Sequence, residues 1–227
     1  MSRAAKWERA GAAAGIAFVA FLLASFFVIP DSPPALDDPV GEIRSFYVDN
    51  SSAFQASAFL TGLAGLFFLC FLGSLATVLG AAGHEQARMT ALAAGAVTIA
   101  LAFGSTAVTD TLATRIAAES DQAVIRALYD VQAFGLTFAN FSIAVFVGAV
   151  TIAAAGTRLL PPPVVWLGYA LVPAWVVAGC GVFVESGAFS PTGAVGFVVM
   201  LVWIAWVLAV SASLLRRSGQ TAPPNAA

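Results

Sequence analysis

The chain has 227 residues, of which 60% are apolar and only 10% charged, with a net charge of −2 and a mean hydropathy of +0.91. A soluble domain carries about 25% charged residues to wet its surface, so this balance excludes one. The small net charge gives no reason to expect nucleic acid as a partner.

Six apolar stretches follow one another along the chain, near residues 10–29, 54–79, 89–110, 127–155, 164–184 and 192–215. About 20 helical residues cross a hydrocarbon core of about 30 Å. In lipid every backbone N–H and C=O must find an internal partner, so each stretch is predicted to be a helix. The predicted fold class is all-α: one polytopic domain of six transmembrane helices over 1–227, with a disordered cytoplasmic tail over 216–227.

The first stretch follows Arg3, Lys6 and Arg9 as a signal peptide would. It is longer than an ordinary h-region, and no small-x-small cleavage site follows, so it reads as an uncleaved helix. With the N-terminus inside, seven basic residues (Arg3, Lys6, Arg9, Arg88, Arg158, Arg216, Arg217) fall on cytoplasmic segments and three (Arg44, Arg115, Arg126) outside. The positive-inside rule therefore puts both termini in the cytoplasm. Ten of the twelve acids lie on the outer segments.

After the first span, Asp38-Pro39 reads as a helix cap with proline at the first helical position. Val40, Ile43, Phe46 and Tyr47 then recur at helical spacing, predicting a short amphipathic helix on the outer membrane surface. On the second span Gly62, Gly73 and Gly80 share a face, and Gly11 and Gly15 form a G-x-x-x-G on the first. Both read as close helix contacts, chiefly within the molecule. The helix containing the fourth span is predicted to begin near Ser120, making it about 35 residues long and over 50 Å, so that its first turns stand above the bilayer. Pro173 interrupts the fifth span, as a kink or as the break of a discontinuous helix. Cys70 and Cys180 differ in depth by roughly 18 Å, too far for a disulfide, and read as small buried hydrophobes. Spans one to three and four to six have opposite topologies, as an inverted repeat would, without a residue-level match between halves.

Polar side chains at membrane depth carry the only hint of a site. Asp130, Thr137 and Asn140 fall within about 80° of one another on the fourth span. Thr98, Ser105 and Thr109 form a stripe on the third, with Thr106 and Asp110 beside it. One reading is a polar cleft between these helices, open to the outside and lined by Asp110 and Asp130. The commoner use of such residues is hydrogen bonding between helices, with the carboxylates wetted at the surface. Glu185 and Asp49 enlarge an acidic outer rim. The single His84 has no cluster at ligand spacing, so no metal site is predicted. Hydrolase, P-loop and dinucleotide motifs are missing from the sequence, and neither a cofactor nor an enzymatic role is expected.

Lys6-Trp7-Glu8-Arg9-Ala10-Gly11, Phe46-Tyr47-Val48-Asp49-Asn50 and Ala127-Leu128-Tyr129-Asp130 carry a resemblance. With them the chain resembles the uncharacterised six-helix integral membrane proteins common in actinobacteria. The resemblance implies a fold and a bacterial plasma membrane, and no activity. The expected function is non-enzymatic, with an outward-facing polar pocket (Asp110, Asp130, Asn140, Thr106, Thr137, Glu185) for a lipid, small ligand or partner. A small secondary transporter or ion-coupled carrier using Asp110 and Asp130 is the alternative, and a membrane enzyme acting on lipid is a third reading. Expected partners are membrane lipids, a second copy or another membrane protein.

Overall fold

The computed structural model describes residues 3–157 and 159–220. Helix α1 is Arg3–Phe27, the short α2 is Val40–Asp49, and α3 is Ser51–Ala81. Helix α4, Glu85–Thr111, passes through a π-turn at Leu112–Ile116 and ends with Ala117–Glu119. Helix α5 is Gln122–Thr157, α6 is Pro162–Gly179 with a 3-10 turn at Cys180–Phe183, and α7 is Ala194–Gln220. Six of these helices, all except α2, are long and apolar enough to cross a membrane, and there is no strand among the described residues. The chain is a polytopic all-α membrane protein. Helix α7 continues past Arg216, where a disordered tail was expected to begin, and residues 221–227 lie outside the described residues.

Chain order sets the packing. Each spanning helix packs on the next, and α7 returns to α1 to close a ring. Aromatic rings fill its centre: Phe18 meets Phe68 at 5.0 Å and Trp203 at 5.6 Å, and Phe146 meets Phe68 at 5.6 Å and Trp206 at 6.2 Å, centroid to centroid. Trp206 hides its indole completely and donates to the carbonyl of Val164 at 3.0 Å, which ties α7 to the first turn of α6. Large aromatics suit this position because lipid offers no hydrophobic drive between helices, so association rests on close packing.

Gly11 and Gly15 perform the role that their spacing predicts. A Cβ at Gly11 would collide with Ser74 of α3, and one at Gly15 with Ser211 of α7 and Phe71 of α3. Gly62 and Gly73 do not. Both are exposed, with nothing within 4 Å of where a Cβ would stand, so that face of α3 looks away from the bundle. Gly65, on the adjacent face, is the residue that admits Phe103 of α4. Cys70 and Cys180 are likewise exposed rather than buried, since lipid accepts a small apolar side chain as readily as a core does. Helix α6 runs unbroken through Pro173, so the discontinuous-helix reading fails.

Candidate functional site

The end opposite the termini carries a folded cap. It joins the segment 28–39, α2, the π-turn extension of α4 and the first turns of α5. The segment contains Pro30, Pro33, Pro34 and Pro39. Proline has no N–H and resists regular pairing, so the carbonyls here must find other donors. Two side chains of α5 supply them: Arg126 donates to the carbonyls of Leu36 and Asp38, and the Tyr129 hydroxyl donates to that of Pro34 at 2.5 Å. Arg44 on α2 donates to the Ser120 carbonyl at 2.5 Å, and the Asn50 amide donates to Asp31 at 2.9 Å and to the Phe46 carbonyl at 3.0 Å.

Beneath these bonds lies a second apolar cluster, separate from the bundle core and built on Leu36, Ile43, Tyr47, Phe54, Leu112 and Ile125. Helix α2 was expected to rest on the membrane surface. Its apolar face meets protein instead, because α4 and α5 extend past their spans and offer a wall to pack on. Its start differs by one residue from the expectation: Pro39 is the N-cap, and the Asp38 carboxylate accepts from the Ala35 N–H at 2.6 Å rather than capping the helix. Burial, assisted by the neighbouring Tyr129, pushes the Tyr47 phenol up, so this side chain stays neutral and serves the cluster as an aromatic body.

The predicted site residues divide by depth. Thr137 is buried and donates to the Ala133 carbonyl of its own helix, and Thr106 does the same to Ala102. The seam between α4 and α5 is crossed by polar contacts: Thr98 and Ser142 share a 2.8 Å hydrogen bond, Thr109 donates to Gln132 at 3.2 Å, and Gly135 lies against Ser105. At these positions the stripe fastens two helices together. Asn140 is half-buried and has no hydrogen-bond partner among the described residues.

Nearer the cap, the charges that act on the half-buried Asp130 are an attraction from Arg126 and a repulsion from the exposed Glu185. Asp110 is half-buried beside the π-turn, with one carboxylate oxygen, Oδ1, buried and unpartnered. No hydrogen bond joins it to Asp130. Asp130 thus feels the charge of Glu185, and Asp110 stands on the facing helix, next to the Thr109–Gln132 bond.

Sequence reasoning missed Arg44, Arg126 and Tyr129. The available signal was three arginines, Arg44, Arg115 and Arg126, standing among ten outer acids on segments that include a proline-rich one. Arg44 and Arg126 are hydrogen-bonded to carbonyls, Arg115 is exposed, and no acid of the outer segments is in an ion pair among the described residues; Asp31, Asp37, Glu42, Asp49, Glu119, Asp121 and Glu185 are all exposed. Among the described residues no group of three or more His, Cys, Asp or Glu gathers as a metal site would require. No protein-family model, curated protein or solved structure matches this chain.

Proposed function

We propose that the protein is a non-enzymatic, multi-pass plasma-membrane protein with both termini in the cytoplasm, whose capped outer face binds a cationic ligand or a basic segment of a partner. The observation that carries this reading is the allocation of the outer cations. Arg44 and Arg126 hold backbone carbonyls of the cap and the third outer arginine, Arg115, is in no ion pair among the described residues, so the surrounding carboxylates are not spent on direct pairing.

A hexalysine peptide is a suitable probe, presented to the protein in nanodiscs of neutral phosphatidylcholine. It should bind at low salt and weaken as ionic strength rises to 0.15 M, where the Debye length contracts to about 8 Å. The triple variant Asp37→Asn, Glu42→Gln, Glu185→Gln should bind much less. Equal binding by both proteins, or none by either, would exclude the rim as a cation site.

Orientation has its own test. A cysteine introduced at Asp38 should be labelled by an impermeant maleimide in intact cells, while one at Gly219 should not. Labelling of the second position alone would invert the topology and move the rim to the cytoplasm.

One observation favours the carrier reading: the buried, unpartnered oxygen of Asp110 beside a π-turn, a helix irregularity that recurs at functional sites. Against it stands the aromatic centre of the bundle, which gives an ion no polar path. Proton or cation flux in liposomes, lost in Asp110→Asn, would set the carrier reading first.

A further inference from the structure

We propose that a groove between α3 and α4, at the end of the bundle that carries the termini, seats an anionic phospholipid. The groove has a volume of about 480 Å³. Gly73, Ala76, Gly80 and Ala81 floor it, Leu92 forms a wall, and Arg88 stands at its end. It opens beside the outward edge of α3, where Gly73 and Thr77 are exposed, while Ala76 and Gly80 turn toward α4. The floor is apolar and shallow because its residues are small. Its one hydroxyl, on Thr77, is satisfied by the carbonyl of Gly73 at 3.0 Å. An acyl chain lying here would find a mostly apolar floor whose one hydroxyl is already satisfied.

The headgroup chemistry comes from Arg88. Its aliphatic stem lies across Gly80, where a Cβ would stand 3.1 Å from Cδ, so the glycine is what lets the arginine fold over the groove. One guanidinium nitrogen, Nη1, donates to both carboxylate oxygens of Glu85, at 3.0 and 2.9 Å. Nε and Nη2 have no acceptor among the described residues. The pair is exposed and three residues apart on one helix, so it holds weakly. A guanidinium with one side of its fork unspent matches a phosphate by two parallel N–H···O bonds.

Charge complementarity extends beyond this side chain, because the segments that the sequence assigns to the side of the termini hold seven of the ten basic residues and only two acids. Basic pockets between helices at such an end recruit acidic headgroups. A second copy docking through the same groove would bring no carboxylate from its lining, only small and apolar residues, the Thr77 hydroxyl and a second Arg88. A phosphate supplies the acceptor it lacks.

The test is native mass spectrometry of the full chain, purified in detergent with equal amounts of dioleoylphosphatidylglycerol and dioleoylphosphatidylcholine. The wild type should retain one phosphatidylglycerol in preference to phosphatidylcholine by about five-fold, the factor that one basic residue supplies at an anionic surface. Arg88→Gln should remove the preference while the melting temperature holds, since the side-chain hydrogen bonds of Arg88 go only to the exposed Glu85. Glu85→Gln should increase the preference by releasing the guanidinium. Gly73→Leu, whose side chain enters open space, should abolish retention of both lipids without loss of fold. Equal retention of the two lipids by the wild type, or a preference that survives Arg88→Gln, would overturn the proposal. A wild-type dimer that Gly73→Leu dissociates would overturn it too, and make the groove a subunit contact.

Discussion

Replacing Arg126 with alanine should open the cap while the bundle beneath it stays folded. Arg126 closes the loop onto α5 with two charge-assisted bonds, to carbonyls that no N–H in the proline-rich segment reaches. Hydrogen bonds from charged groups are worth about 1.5–3 kcal/mol each, and the two share one side chain, so a combined loss of about 2–4 kcal/mol is expected. The loss is local because the cap owns a separate apolar cluster, which meets the bundle at the outer turns of α4 and α5.

Hydrogen exchange is the measurement that sees this. Amides of 40–49 should exchange about 30- to 1,000-fold faster in Arg126→Ala, while those of α3 and α5 at mid-bundle hold their protection. Arg126→Lys should recover little, because an ammonium cannot span two carbonyls as a planar fork does. If protection of α2 is unchanged in Arg126→Ala, Ile43 and Tyr47 alone hold the cap, and the arginine is free to serve the acidic rim instead. That outcome would also remove the argument that the outer carboxylates are uncompensated.

What could be read from the sequence followed from one-dimensional constraints. The thickness of the hydrocarbon core fixes how long an apolar run must be, so all six spanning helices fall where the runs lie, and α5, with 36 residues, has the predicted length. Helix α2 was legible because its apolar period and the proline before it are local signals. The cap bonds were not legible: Arg126 and Leu36 are ninety residues apart, and no periodicity links an arginine to a distant carbonyl. The polar stripe on α4 was found and set against the fourth span, but the spacing of Thr98, Ser105 and Thr109 does not reveal whether they line a cleft or bond across the seam, nor to which residues. Ser142, Gln132 and Gly135 on α5 supply that answer.

Glycine faces show the same limit, and a pair of variants tests it. Gly15 sits where α1, α3 and α7 converge, and even a methyl group there would meet Phe71 Cδ2 at 2.8 Å and the buried hydroxyl of Ser211 closer still. Both neighbours are fully buried and have little room to move. Overpacking a well-filled contact costs about 1–3 kcal/mol, and leucine at Gly15 should reach or pass the upper end of that range. Gly62 has the same residue type at a similar helix-interior position, yet open space lies beyond it. Leucine there should be neutral or stabilising, because removing a glycine from a helix interior gains about 0.5–1 kcal/mol. Thermal unfolding in detergent should therefore separate the two variants widely: Gly15→Leu melts far below the wild type, and Gly62→Leu at or above it. If Gly62→Leu falls as far as Gly15→Leu, the outer face of α3 is covered after all, by a helix that this chain does not supply.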